Sequence, residues 1–336
     1  MQQRRLGRTG LKVSEVCLGT MTFGVQCDEA ASFAILDRAA EGGVDFLDTA
    51  DCYPIPLEPQ TVGRTEEILG RWLQGRRERF VLATKCFFPM GPSPNDRGNS
   101  RRHVLAAAEA SLRRLRTDFI DLYQVHAYDP ETPLDETLRA LDDLVRAGKV
   151  RYAGCSNFRA WELARALSVS ERAGLARFDC TQPRYSVLHR EIEIELLPLC
   201  RAEGVGVIVF NPLAGGLLTG KHHAGSQPAA GTRFSAALGS TGTAYRRRYW
   251  QDEMLAAVEV LKRFFDARGR TLASAAVAWV LEQPGITAAI VGASRPEQLE
   301  ATLAAADFAL DDEERAALDQ VWYDLPRRRP EPGPVR

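Results

Sequence analysis

No pair of cysteines spaced CxxC, no apolar run long enough to cross a bilayer, no excess of charge and no GxGxxG turn occur in these 336 residues. Each absence excludes something. The seven cysteines (Cys17, Cys27, Cys52, Cys86, Cys155, Cys180, Cys200) are odd in number and scattered, so neither a disulfide framework nor a zinc site is expected. They read as reduced thiols in a cytoplasm, and no metal is expected. The most apolar stretch, Gly204 to Leu218, is 15 residues and contains Asn211, Pro212 and four glycines, whereas a spanning helix needs about 20 apolar residues. The opening MQQRRLGRTG has basic residues but no apolar h-region after them, so no ordinary secretory signal is expected. With 43 Lys and Arg against 44 Asp and Glu, the formal net charge is −1, which leaves no electrostatic footprint for nucleic acid or an anionic membrane. The basic runs Arg246 to Arg248 and Arg327 to Arg329 are too short to reverse that.

What is present is an alternation. Short β-branched runs begin at Val16 (VCLGT), Val44 (VDFLDT), Phe80 (FVLATK), Phe119 (FIDLYQVH), Val150 (VRYAGCS), Phe178 (FDCTQ), Val205 (VGVIVF) and Ile286 (ITAAIV). Amphipathic patterns follow them, over 28–42, 65–74, 101–116, 134–147, 160–174, 192–203, 271–282 and 296–305. Asp28 and Ser100 stand where N-caps belong, and Gly42, Gly148, Gly174 and Gly204 where helices should stop. Eight strand-then-helix units predict an α/β fold, a closed parallel (β/α)8 barrel of the TIM type. A doubly wound sheet would want the missing glycine-rich turn. Residues 4–14, with Gly7 and Gly10 around a turn, predict a hairpin plugging the barrel bottom. After strand 7 a long loop, 222–250, is rich in Gly, Ser, Thr and Ala, and an extra helix follows over 252–268. The expectation is one domain over 1–325 and a solvated tail over 326–336.

In such a barrel the chemistry sits at the C-terminal ends of the strands. Those ends supply Asp48, Lys85, His126, Ser156 with Asn157, Gln182, Phe210 with Asn211, and Gly292 to Ser294, while Tyr53 follows Asp48 in the loop. One Asp, one Tyr, one Lys and one His therefore converge on one mouth.

The chain resembles an aldo-keto reductase through RRLGRTGLKVSEVCLGTMTFG, DTADCY, ATK, IDLYQVH, DPETPLDETLRALDDLVRAGKVRYAGCSNF, QPRYS, NPLAGGLLTGK and GASRPEQLE, in order along nearly its whole length. The extended segment YPIPLEPQTVGRTEEILG is similar to a bacterial branch related to the potassium-channel β subunits. The resemblance implies NADPH-dependent reduction of an aldehyde or ketone, with an aromatic carbonyl or a keto-sugar as candidate substrates. It implies a catalytic tetrad of Asp48, Tyr53, Lys85 and His126. Reducing a carbonyl builds negative charge on oxygen, which a nearby acid must quench. A phenol has an ordinary pKa of about 10 and needs a cation beside it to act readily. Lys85 would be that cation, Asp48 its anchor, and His126 would orient the substrate.

The same resemblance implies that Ser156, Asn157 and Gln182 bond the nicotinamide carboxamide and that Phe210 stacks on its ring. Thr20, Asn211, Pro212, Leu213, Gly215 and Lys221 would hold the rest of the cofactor, and Arg233 would fold over its pyrophosphate. Gly292 would also contact the cofactor, and Ser294, Arg295 and Gln298, donors and a cation after the eighth strand, would meet the 2′-phosphate. Gly215 to Lys221 also fits G-x-x-x-x-G-K, but His222 stands where a P-loop needs Ser or Thr. The sequence departs from the family at Ala301 and Thr302, where Glu and Asn usually contact adenine, and at Pro54 in place of a common glycine. Pocket walls are expected from Phe23, Phe87, Phe88, Ala127, Tyr128, Tyr185 and the long loop. Two other readings stay open: a cofactor-binding regulatory subunit with little turnover, and an aldolase-like barrel using Lys85 as a Schiff-base amine. The expected partner is a small carbonyl substrate, with no nucleic acid or membrane and the oligomeric state unread.

Overall fold

The structure, a computed structural model, describes residues 1–326. An antiparallel hairpin, β1 (Gln3–Arg5) and β2 (Lys12–Ser14), precedes eight parallel strands. These are β3 (Val16–Gly19), β4 (Phe46–Asp48), β5 (Val81–Cys86), β6 (Ile120–Val125), β7 (Val150–Ser156), β8 (Phe178–Gln182), β9 (Gly206–Phe210) and β10 (Ala288–Gly292). Strand β10 pairs with both β9 and β3, which closes the barrel. Every expected strand is present, and β7 and β8 fall on their expected residues.

Period-two alternation of side chains sorts the barrel interior into storeys. The lower storey is apolar: Cys17, Phe46, Ala83, Leu122, Cys180, Ile208 and Ala288 pack with Leu6 and Val13 of the hairpin. Two residues further along, the same inward face carries Asp48, Lys85, Gln124, Gln182 and Phe210. The hairpin seals the bottom. Gly7 adopts φ +54°, and a Cβ there would lie 2.4 Å from the Gly206 nitrogen, so only glycine allows this approach.

The helices packed outside are α1 (Glu29–Glu41), α2 (Arg64–Trp72), α3 (Arg101–Leu115), α4 (Leu134–Arg146), α5 (Ala160–Ala173), α6 (Leu196–Glu203), α7 (Gly239–Tyr249), α8 (Asp252–Asp266), α9 (Leu272–Glu282), α10 (Leu299–Leu303) and α11 (Asp312–Asp324). Asp28 and Ser100 cap α1 and α3 as expected. Gly42, Gly174 and Gly204 end α1, α5 and α6. Among the described residues no helix is long and apolar enough to cross a membrane.

The structure differs from the sequence expectation in four places. The loop over 222–250 contains α7, whose Gly, Ser and Thr content disfavours a helix locally. Packing holds it instead: Gly242 sits against Ser235, where a Cβ would lie 2.1 Å from the carbonyl oxygen, and Tyr245 and Tyr249 are buried. Helix α11 was not anticipated, although Asp311 and Glu314 form a capping box that signals it. The pattern over 192–203 divides into a 3-10 turn, Glu191–Glu193, and α6. The pattern from Pro296 begins as a 3-10 turn and contains only the five residues of α10, so it offers a weaker helix dipole than a full helix would. Of the expected tail over 326–336, everything from residue 327 onward lies outside the described residues.

Candidate active site

Asp48 ends β4 and pairs with Ala83 of β5, and Lys85 follows Ala83 by two residues on the same inward face. The Lys85 ammonium donates to Asp48 Oδ2 at 2.6 Å and to the Thr49 carbonyl at 2.7 Å. Asp48 Oδ1 accepts from Gln182 Nε2 at 2.8 Å and from Gln124 Nε2 at 3.4 Å. Both charges are buried, with Lys85 fully so, and both are hydrogen-bonded on several sides, the condition under which a buried pair is tolerated.

Tyr53 lies above this pair. Its ring centroid is 5.3 Å from Lys85 Nζ, and it packs edge-on against His126 with centroids 5.9 Å apart. Burial, and then the Asp48 carboxylate, push the phenol well above its usual 10.0, so it holds its proton at neutral pH. His126 follows β6; its amide donates to the Cys86 carbonyl at 2.9 Å, and its carbonyl accepts from Asn157 Nδ2 at 2.9 Å. Burial, reinforced by Lys85, holds the imidazole well below 6.5, so it is neutral.

Asn157 and Asn211 terminate β7 and β9 with φ near +58°, a left-handed conformation that asparagine tolerates better than most residues. That turn brings Asn157 Nδ2 within 3.0 Å of Ser156 Oγ, whose hydroxyl donates to the Gln182 carbonyl at 2.8 Å. Gln182 directs its amide N–H groups to Asp48 and Gln124. Asn211 contacts the Tyr245 and Tyr249 hydroxyls at 3.3 and 3.4 Å.

Asp48, Tyr53 and His126 open onto a cavity of about 1010 Å³. It is also lined by every residue expected to hold a cofactor: Thr20, Ser156, Asn157, Gln182, Phe210, Asn211, Pro212, Leu213, Gly215, Lys221, Arg233, Gly292, Ser294, Arg295 and Gln298. Lys85 does not line it, which leaves an aldolase-like amine without access to a carbonyl. Part of the lining is cationic, and one of its members, Arg233, also acts on the Tyr53 phenol, lowering its pKa against the larger rise from burial and Asp48. Burial, then Arg295 and Arg233, depress the Lys221 ammonium. None of the three has a carboxylate in salt-bridge reach among the described residues. Arg233 Nη1 lies 3.3 Å from the Tyr245 hydroxyl and 3.8 Å from Met21 Sδ, and a Cβ on Gly292 would approach its guanidinium to 3.3 Å. A crowded set of unneutralised cations beside a bare backbone fits a phosphate-bearing ligand.

The expected pocket wall needs correction. Of the aromatic and small residues proposed for it, only Phe88 lines the cavity. Tyr185 is on the outer side, 5.4 Å from Trp279 with its hydroxyl on Glu193; Tyr128 packs on Phe158 and Trp161; Phe23, Phe87 and Ala127 face elsewhere. The sequence reading missed Gln124, Cys52, Ile55, Leu57 and Tyr245. Gln124 was findable, since it stands two residues before His126 on one inward face. Ala301 and Thr302 do line the cavity, and the Thr302 hydroxyl turns back to its own backbone at Leu299.

One mouth of the parallel barrel thus carries a buried Asp–Lys pair beneath a phenol and a neutral imidazole. Residues 15–323 match the model of the aldo/keto reductase family, and the chain belongs to that family. It is 42% identical over 332 residues to the "Uncharacterized oxidoreductase YrpG" of Bacillus subtilis, covering 96% of each chain. It is 36% identical to a "Probable voltage-gated potassium channel subunit beta" of Arabidopsis thaliana over 91% of this chain and 92% of that one. It is 33% identical to the "Versiconal hemiacetal acetate reductase" of Aspergillus parasiticus over 96% and 97%.

Proposed function

We propose that this chain reduces an aldehyde or ketone to the alcohol with NADPH, using Tyr53 as the proton donor. The observation that carries the reading is the Asp48–Lys85 pair buried beneath a protonated phenol, in a cavity whose lining is cationic in part. The bound nicotinamide would supply the hydride. Phe210 would stack on its ring, Ser156 and Asn157 would bond its carboxamide, Lys221 and Arg233 its pyrophosphate, and Ser294, Arg295 and Gln298 its 2′-phosphate.

The chain's own groups do the proton chemistry. As negative charge grows on the carbonyl oxygen, Tyr53 passes its proton to that oxygen. The phenolate left behind sits near the Lys85 ammonium, and Asp48 keeps that ammonium in place. A neutral His126 donates a hydrogen bond and orients the carbonyl. The wall of the cavity includes the apolar Ile55 and Leu57, close after Tyr53 in the chain, and Phe88, which packs on His126, and this favours an aromatic carbonyl over a keto-sugar. The domain responsible spans 1–325, and its seven unpaired, buried cysteines fit a reducing cytoplasm.

The test is consumption of NADPH with a panel of aromatic aldehydes and keto-sugars. Turnover with the aromatic members supports the reading; binding without turnover of any member refutes it. That second outcome would favour the regulatory alternative, to which the relatives named as channel subunits give weight.

A further inference from the structure

The two nitrogens of His126 are not equivalent. Nδ1 lies 4.0 Å from the sulfur of Cys52, and Nε2 has no hydrogen-bond partner among the described residues. The ring is held between two aromatic edges, Tyr53 at 5.9 Å and Phe88 at 4.9 Å between centroids, and its backbone is tied at both N–H and C=O. Cys52 is 1% exposed and sits immediately before Tyr53, in the loop that begins at Asp48.

We propose that Cys52 is a positioning residue whose thiol donates to Nδ1 of His126, holding the neutral imidazole as its Nε2–H tautomer with that N–H offered to the carbonyl oxygen. The role assigned to the N–H rests on the reductase reading; the tautomer does not. A neutral imidazole carries one N–H and one lone pair, and the group facing one nitrogen sets the other. The thiol is suited to be the donor. Burial, then Asp51, push its pKa well above 9.0, so it keeps its proton, and the imidazole is neutral for the reasons already given. A thiol is a weak donor and a weak acceptor, and the contact is long, but no other group among the described residues bonds Nδ1. Were the proton on Nδ1 instead, Nε2 would turn a lone pair on the substrate oxygen. It would also compete for the Tyr53 proton. Cys52 and Tyr53, adjacent in sequence, would thus set both hydrogen-bond donors of the site.

The experiment uses the full chain labelled with 15N histidine, without cofactor or substrate. Two-bond proton–nitrogen correlations report the tautomer of each of the five histidines, and His126 is assigned from its loss in His126→Gln. The wild type should show His126 as Nε2–H. Cys52→Val, similar in size but without a donor, should shift it toward Nδ1–H, and Cys52→Ser should restore it. If the valine variant fails to fold, Cys52→Ala serves the same purpose. Aldehyde turnover should fall on the order of tenfold in the valine variant and recover in the serine variant, with the KM for NADPH unmoved. An Nδ1–H wild type, or a valine variant that keeps Nε2–H, overturns the proposal. A wild type with the expected tautomer and no reductase activity would refute the reductase reading alone.

Discussion

The two ends of the cavity follow opposite rules. At the Tyr53 end the charges are buried and paired, Lys85 with Asp48, on strands whose register fixes them to one another. At the Arg295 end the charges share one sign, lie in loops and are partly exposed, as Lys221, Arg233 and Arg295 are. The first end is finished before any ligand arrives. The second holds its cations with no carboxylate in salt-bridge reach among the described residues, at a cost to the charged form of Lys221. Chemistry needs fixed geometry, whereas a cofactor that must come and go needs a site whose charge its own phosphates complete.

This contrast is sharpest at the phenol. Tyr53→Phe should lower reduction by about 10²–10⁴-fold, while NADPH affinity changes by less than about twofold. Single-turnover kinetics with fluorescence titration of the cofactor checks both, and comparable losses in rate and binding would blur the two ends into one. The next largest effect is on the pair itself. Lys85→Met leaves Asp48 buried without its cation and should cost about 3–5 kcal/mol of stability in urea denaturation. Adding Asp48→Leu should return most of that. A single mutant as stable as wild type would show that the charges are less committed than their burial indicates.

At the other end the losses should be smaller and confined to binding. Arg295→Ala and Arg233→Ala should each weaken NADPH about tenfold, the scale of one charge-assisted hydrogen bond. Arg295→Ala should leave NADH nearly unchanged, and the losses should shrink with added salt. Equal loss of NADH would move Arg295 away from the 2′-phosphate. The smallest expected effect is an absence. Reduction needs the protonated phenol, whose pKa is raised above 10.0, and a neutral imidazole, whose pKa is lowered below 6.5. Activity should therefore be flat between those values, falling above them as the phenol loses its proton and below them as the imidazole gains one. A loss of activity as pH rises through 6.5 would mean that His126 works charged.

Most of the paired end was legible in the sequence because strand periodicity is short and strict. Once Phe46, Ala83 and Leu122 are read as inward, Asp48, Lys85 and Gln124 must be inward too, two residues on. Tyr185 was misplaced for the converse reason: an aromatic residue beyond a strand end carries no period to say which face it takes, and it packs on Trp279 outside the barrel. Tyr245 and the helix that carries it were illegible because nothing local favours a helix in GSTGTAYRRRY. Its stability comes from contacts further along the chain, such as the Tyr245 and Tyr249 hydroxyls against Asn211 at 3.3 and 3.4 Å. The capping box at Asp311, by contrast, was a local signal left unread.

The apolar storey under Asp48 and Lys85 has an electrical meaning. Cys17, Phe46, Ala83, Leu122 and Cys180, closed from below by Leu6, form a floor of apolar side chains. The ammonium is therefore backed by a poorly polarisable medium, and its field is screened less on that side than water would screen it. Leu6, in a hairpin at the opposite end of the barrel from the mouth, thereby shapes the medium in which the Asp48–Lys85 pair sits.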